Sequence, residues 1–364
     1  MKLPQGFLTS GINCGIKKKK LDLGLICAEN FCKAEGFFTT NENCSYSVLA
    51  CKKNINNPIK AVLVNSGNAN CYSHKTGLKD TKAIISKLAK KLKVKEGNIL
   101  IASTGIIGKK LPRSKIIKGL EMLIEKLNKK SADFSSSILT TDNFRKISFR
   151  SLTIGKDKVS ISGFAKGAGM IYPNMATMLG FILTDAYVPA NAFRKTCNQA
   201  IQESFNSINV DGCMSTNDTV LFMSSKRIIL KNKKDINIFS QKLKEVCLDL
   251  SKKIIKDAEG ATKFIEIKIK GAKSNLEAKK AGLALSSSVL FKCALYGANA
   301  NWGRIISALG QAGVKIPENI SIKSTSLSKK EVKISIDLKR GKFSWCVYTS
   351  DLTPEYIKIN AEYN

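Results

Sequence analysis

Short apolar runs of strand length recur from one end of the chain to the other, and segments of helical periodicity separate many of them. The runs lie at 23–27, 61–65, 99–103, 159–163, 178–184, 220–224, 264–269, 332–338 and 343–349. Ile84, Ile85, Leu88 and Leu92 share one helical face, and Ile116, Ile117, Leu120, Leu123, Ile124 and Leu127 share another. Phe193, Cys197, Ala200, Ile201 and Phe205 make a third, and further helices are expected over 235–254 and 276–290. Each strand face and each helix stripe must bury its apolar side against another layer. Adjacent strand pairs near 147–163 and 332–349 add antiparallel hairpins to the crossovers. The pattern predicts a layered α+β or α/β protein of mixed sheets, not a simple doubly wound sheet. No internal repeat or disordered linker interrupts it, so the two halves are expected to be built together.

The chain has 364 residues, room for about two domains and a sizeable core. With 43% hydrophobic and 24% charged residues it is not a disordered or low-complexity chain. No stretch approaches the ~18 uninterrupted apolar residues of a membrane helix. The N-terminus (Met1-Lys2-Leu3-Pro4-Gln5-Gly6) lacks the apolar core of a secretory signal, so a cytoplasmic location and no membrane partner are expected. The formal net charge is +32, from 60 Lys+Arg against 28 Asp+Glu. Clustered cations would suit a nucleic acid. Here, however, Lys is scattered along nearly every segment, with short runs such as 17–20 and little aromatic interleaving. A solvated basic surface that attracts acidic metabolites fits better than a nucleic-acid partner.

Eleven cysteines include no C-x-x-C pair, and spacings such as Cys27/Cys32, Cys44/Cys51 and Cys197/Cys213 match no zinc pattern. Free, mostly buried thiols and no metal are expected. The single histidine, His74, lies in a polar stretch and reads as a loop residue. Whatever base the protein uses, imidazole is a poor candidate.

Loops rich in glycine and small polar residues follow several of the runs, and loops at strand ends are where sites are usually grafted. They are Val64-Asn65-Ser66-Gly67-Asn68-Ala69-Asn70, Ala102-Ser103-Thr104-Gly105-Ile106-Ile107-Gly108, Thr140-Thr141-Asp142 and the stretch from Ala165 to Leu179. Later come Asp257-Ala258-Glu259-Gly260-Ala261-Thr262-Lys263 and Tyr296-Gly297-Ala298-Asn299-Ala300-Asn301-Trp302-Gly303-Arg304. By spacing alone each of them reads as structural. The 104–108 loop with Lys109 lacks the full phosphate-loop spacing. Thr140-Thr141 could be a capping or turn pair, and Lys166 a solvated loop lysine.

Taken together, these segments resemble a known family. Lys166-Gly167-Ala168-Gly169-Met170-Ile171, Pro173-Asn174-Met175-Ala176-Thr177-Met178-Leu179, Phe181 and Thr184-Asp185-Ala186 resemble the self-cleavage segment of the glutamate N-acetyltransferases, the ornithine acetyltransferases of arginine biosynthesis. The resemblance runs from Pro4, Gly6-Phe7 and Gly11 through the 64–70 segment, Thr104-Gly105 with Leu111-Pro112, and Thr140-Thr141-Asp142. It continues through Ser215-Thr216-Asn217-Asp218-Thr219, the Glu259 and Trp302 segments and Ile359-Asn360-Ala361-Glu362-Tyr363.

The resemblance implies an α/β/β/α sandwich like that of N-terminal-nucleophile enzymes, as in the ornithine acetyltransferases and DmpA-type aminopeptidases. It implies autocatalytic cleavage between Ala176 and Thr177 into an α chain (1–176) and a β chain (177–364), two of each in the assembly. Thr177 is then the nucleophile and its freed α-amine the base, with Thr104 and the Gly105 N–H as the oxyanion hole. Thr141 (or its neighbour Thr140), Lys166, Thr177, Glu259 and Asn360 match substrate-binding positions. The implied substrates are N2-acetylornithine and glutamate. No cofactor is implied, although some members take acetyl-CoA as co-substrate.

Two departures stand out. The family's C-terminal motif usually runs past Tyr363 to a Thr that also contacts substrate, whereas this sequence stops at Asn364, and Asn299 stands where Asp is usual. The residues also admit an N-terminal-nucleophile amidase or aminopeptidase, a basic nucleic-acid-binding protein, and an uncleaved, inactive scaffold.

Overall fold

A computed structural model describes residues 2–73, 76–172 and 178–362. In chain order the strands are β1 (Phe7–Ile12), β2 (Leu23–Phe38), β3 (Ile59–Asn68), β4 (Ile99–Ile106), β5 (Lys146–Ile154), β6 (Asp157–Lys166) and β7 (Leu179–Tyr187). They continue as β8 (Ile208–Asn209), β9 (Thr219–Ile229), β10 (Phe264–Ala272), β11 (Ser321–Ser324), β12 (Glu331–Asp337) and β13 (Phe343–Ser350). The helices are α1 (Tyr46–Asn54), α2 (Gly77–Leu92), α3 (Arg113–Glu125), α4 (Ala132–Ser137) and α5 (Ala190–Gln202). After them come α6 (Lys233–Lys256), α7 (Asn275–Ser287), α8 (Val289–Tyr296), α9 (Gly303–Gln311) and α10 (Pro354–Ala361).

The chain divides into two compact units. The first comprises Met1–Gly167, Asn174–Ile201 and Met214–Leu250, the second Ala168–Pro173, Gln202–Cys213 and Ser251–Asn364. In the first, one eight-stranded sheet runs β4-β3-β2-β9-β7-β6-β5, with β1 also paired to β2. β3 with β4 and β7 with β9 are parallel, and the other pairs are antiparallel. Mixed pairing is therefore as expected.

The long strand β2 makes the layers. Its first part pairs with β1 and β3, its register slips between Cys27 and Cys32, and its last residues pair with β9. The sheet thus turns over on itself. Alternate residues on one half (Ile26, Val62, Val64, Leu100) share a core with Phe164, Leu179, Phe181 and Leu221 of the other, and the Phe134 ring packs edge-on against Phe164 and Phe181. The intervening residues Leu25, Leu63, Ile99 and Ile101 face outward under α2 and α3. On the far side α6 presses on β6, where a Cβ on Gly163 would meet Leu250 and Val246 at 2.6 and 2.7 Å. This is the expected α/β/β/α order, with period-2 strands supplying both faces.

The second unit holds a five-stranded sheet, β11-β12-β10-β13-β8, whose core joins Ile265, Ile267 and Ile269 to residues of α7, α8 and α9.

Two expectations need correction. The single helix over 276–290 is two, because Ser288 is extended (φ −74°, ψ 109°) and its hydroxyl accepts the Phe291 N–H at 3.3 Å, capping α8. Phe205 lies beyond α5, in a short 3₁₀ turn (Phe205–Ser207).

A division at 176/177 would separate chains and not compact units. β7, which follows that point, is hydrogen-bonded to β6, which precedes it, and β9 is likewise paired with β2.

Candidate active site

Thr104 and Gly105 stand near the end of β4, where the parallel pairing with β3 becomes irregular and Asn68 lies opposite both Thr104 and Ile106. Gly105 has φ +130°, and a Cβ there would lie 2.4 Å from the Gly67 carbonyl carbon and 2.5 Å from the Asn68 nitrogen. No residue with a side chain fits without moving β3. The polar 64–70 segment fixes this strand end. Ser103 Oγ donates to Asn65 Oδ1 at 2.7 Å, and Asn65 Nδ2 donates to the Asn68 carbonyl at 2.9 Å. Asn217 Nδ2 donates to the Ala69 and Ser103 carbonyls at 2.5 and 2.8 Å. Thr104 itself is buried.

Lys166 ends β6 and is also buried. Its setting is made by Asp142, whose side chain is 0% exposed. Asp142 accepts Lys146 Nζ at 2.7 Å, the Gly167 N–H at 2.7 Å and the Thr140 N–H at 3.0 Å, and Lys166 Nζ lies 3.9 Å away. Burial alone would raise the carboxyl pKa; the charges of Lys166 and Lys146 and the hydrogen bonds outweigh it and hold the group well below the usual carboxylate range. Thr140 and Thr141 are half-buried in the loop between α4 and β5. The Thr140 amide is tied to Asp142, which does not distinguish the two hydroxyls as ligands.

Lys17 reaches the same place from the loop after β1. Its Nζ donates to the Leu139 carbonyl at 2.9 Å, next to Thr140. Burial pushes its amine down to about 8; Asp22 and Asp142 oppose the shift, and Lys20 and Lys166 add to it.

Ala176 and Thr177 lie outside the described residues, as does His74. The next residue, Met178, donates its amide to Asp218 Oδ1 at 2.9 Å. Asp218 is fully buried, and among the described residues its Oδ2 has no hydrogen-bond partner. Burial raises this carboxyl well above its ordinary pKa, with Lys166 acting against it.

In the second unit Glu259 and Asn360, which are 101 residues apart, come together: Asn360 Nδ2 donates to Glu259 Oε2 at 3.2 Å. The Glu259 amide donates to the Ala168 carbonyl at 3.0 Å. Gly169 leaves room for the carboxylate, since a Cβ there would lie 2.2 Å from Glu259 Oε2. Asp211 holds the same segment by accepting the Met170 and Ile171 amides at 2.6 and 3.0 Å and the Tyr356 hydroxyl at 3.1 Å. Burial raises the Asp211 carboxyl above its ordinary pKa.

Of the residues expected from the sequence, Thr104, Gly105 and Lys166 lie in the first unit and Glu259 and Asn360 in the second, and the sequence reading assigns no work to Asp142, Asn217, Asp218, Asp211 or Lys17. The available signal was a lone acid or amide inside a run of small residues, as in Thr140-Thr141-Asp142 and Ser215-Thr216-Asn217-Asp218-Thr219. Burial, which gives these groups their strength, is not written in that pattern. The buried thiols of Cys32 and Cys51 are pushed up to about 12 by burial, as suits packing residues. Among the described residues no group of three or more His, Cys, Asp or Glu could hold a metal ion, and no helix is long and apolar enough to cross a membrane.

Known proteins resemble the chain over its length. The arginine biosynthesis bifunctional protein ArgJ of Caldanaerobacter subterraneus subsp. tengcongensis is 37% identical over 395 residues, covering 100% of this chain and 98% of that protein. The protein of the same name from Geobacter sulfurreducens is 38% identical over 388 residues, covering 99% of each. A crystal structure of ornithine acetyltransferase complexed with ornithine, from Mycobacterium tuberculosis, matches 47% of this chain and 92% of its own at 28% identity and a TM-score of 0.41. The ArgJ family model matches residues 8–327 and 321–364. With the strand-end loops and the full-length similarity in agreement, the chain belongs to the ArgJ family.

Proposed function

We propose that this protein moves an acetyl group from N2-acetylornithine to glutamate through an ester on Thr177, after cutting itself between Ala176 and Thr177. The observation that carries the reading is the first unit's polar strand-end set: Thr104–Gly105 at the end of β4, the Asp142-held Lys166 at the end of β6, and Met178, next to Thr177, anchored on Asp218. The relatives' place in arginine biosynthesis supports the same substrates.

In self-cleavage, Thr177 Oγ attacks the Ala176 carbonyl carbon. The C–N bond breaks, the acyl group passes to oxygen, and water hydrolyses the ester to an Ala176 carboxylate and a free Thr177 α-amine. That amine has a reference pKa of about 7.7–8.0, close to working pH, whereas the amide it replaces is not a base. A threonine hydroxyl needs such a neighbour to act as nucleophile. Cleavage therefore turns the site on. The β6–β7 and β2–β9 pairings keep the two products in one sheet.

In transfer, Thr177 Oγ attacks the acetyl carbonyl while the α-amine takes its proton. Thr104 and the Gly105 N–H receive the oxyanion, one such donor being worth about 3 kcal/mol. The proton passes to the departing ornithine nitrogen. Glutamate's amine then attacks the acetyl ester, giving N-acetylglutamate and regenerating Thr177. Lys166 receives the α-carboxylate, with Thr140 or Thr141 beside it. Glu259, with Asn360, attracts the δ-ammonium of ornithine. The mature protein consists of two α and two β chains.

The test is incubation with N-acetylornithine, with and without glutamate, alongside a denaturing gel. N-acetylglutamate and two fragments of about half the chain each, one beginning at Thr177, are expected. Acetate released without N-acetylglutamate would replace the transferase by a hydrolase, and an intact but active chain would remove the proposed base. Acetyl-CoA in place of N-acetylornithine reads whether the protein also takes acetyl groups from the thioester.

A further inference from the structure

We propose that Lys17 binds the side-chain carboxylate of the acetyl acceptor, so that the first unit offers a dicarboxylic amino acid two cations, Lys166 and Lys17. The inference rests on the acetyl-transfer reading above and adds what selects glutamate among amino acids.

The Lys17 loop is built around one buried carboxylate. Asp22 accepts the amides of Cys14, Ile16 and Lys17 at 2.7, 2.7 and 2.8 Å, and Asn13 Nδ2 closes the loop on the Lys17 and Lys20 carbonyls at 3.0 and 2.6 Å. Three charge-assisted hydrogen bonds to consecutive turns of backbone fix where the Lys17 stem leaves the chain. That stem lies over Gly67, where a Cβ would meet Lys17 Cγ at 3.2 Å, and Gly67 is the residue that Gly105 abuts. Its ammonium sits at the Leu139 carbonyl, beside Thr140 and within electrostatic reach of Asp142 and Lys166.

The four surface-facing lysines at 17–20 are thus not equivalent. Lys18, Lys19 and Lys20 are exposed, whereas Lys17 is half-buried against the strand-end loops of the candidate site. Among the described residues its ammonium donates to the Leu139 carbonyl alone, and an ammonium at the edge of a partly dry site is suited to a carboxylate. Asp22 and Asp142 both act on this amine, but Asp22 is taken by the three backbone amides and Asp142 serves Lys146 and Lys166. A dicarboxylate bridging Lys166 and Lys17 would bring a further negative charge to that ammonium. An amide in place of the side-chain carboxylate would not.

The experiment uses the full-length protein and compares glutamate with glutamine as acceptor. Lys17→Gln is expected to raise KM for glutamate at least tenfold, to move KM for N-acetylornithine less than threefold, and to collapse the preference for glutamate over glutamine toward unity. Lys17→Arg should retain most of that preference. An unchanged glutamate preference in Lys17→Gln, or equal losses for donor and acceptor, would overturn the proposal. If the variant does not fold, wild-type protein is labelled with an amine reagent and Lys17 is followed by peptide mass spectrometry. Protection by glutamate but not glutamine supports the assignment, and equal labelling defeats it. A wild type that forms no acetyl-enzyme from N-acetylornithine sinks the transferase reading itself, a separate result from either.

Discussion

Replacing Asp142 by Asn tests whether the buried cations of the first unit depend on that one charge. The substitution keeps shape and volume. Lys146, 0% exposed, then loses the partner at 2.7 Å, and Lys166, 3% exposed, loses the charge at 3.9 Å. Breaking a buried pair by removing one partner typically costs about 3–5 kcal/mol. Lys146 keeps the Phe144 carbonyl at 3.5 Å and lies 5.0 Å from the centre of the Phe144 ring, which places the cost at the lower end, about 3 kcal/mol. A unit of 150–250 residues moves by about 2–4 °C per kcal/mol, so the transition assigned to the first unit should fall by about 6–12 °C. Differential scanning calorimetry reads this directly. The cost should be partly recovered in the Asp142→Asn/Lys146→Met double variant, with a coupling of at least about 1.5 kcal/mol, because the second change removes the cation whose charge Asp142 balanced. A melting shift below 2 °C, or two costs that simply add, would refute the account.

Three further outcomes follow from the same geometry. The Asp142 carboxyl is depressed in the fold, so its contribution is fully present well above the unfolded value of about 3.9 and is lost progressively as pH falls through that value toward the depressed folded one; denaturant melts of wild type and Asp142→Asn should differ at pH 7 and draw together as pH falls below about 5. Thr104→Ala should lower kcat by about 10²–10³ with KM for N-acetylornithine nearly unchanged, and near-normal turnover would remove Thr104 from the oxyanion site. Gly169→Ala places a Cβ 2.2 Å from the end of a flexible Glu259 side chain, which can give way. It should weaken N-acetylornithine binding several-fold while the melting temperature moves little, and an unchanged KM would show that the position of Glu259 does not matter.

Most of the architecture could be read before any coordinates, because it rests on local rules. Strand-length apolar runs from 23–27 to 343–349 all became strands, since alternation of side chains across a pleat is a property of neighbouring residues. The same rules failed where a single residue interrupts a pattern: the apolar spacing continues through 276–290, but Ser288 ends one helix and caps the next. The polar strand-end loops were legible as motifs, Thr104-Gly105 and Lys166 in the first unit and, separately, Glu259 and Asn360 in the second.

What the amino-acid order by itself determined is thus the layer type and the loops that carry polar chemistry. The tertiary structure alone decided which charges meet. A long β2 turning the sheet over on itself packs the two halves against one core, and Asp142 beside Lys166, Asn217 against Ser103, and Lys17 beside Leu139 are contacts across many residues of chain. Their strength comes from exclusion of water, a property of the packed assembly and of no segment within it.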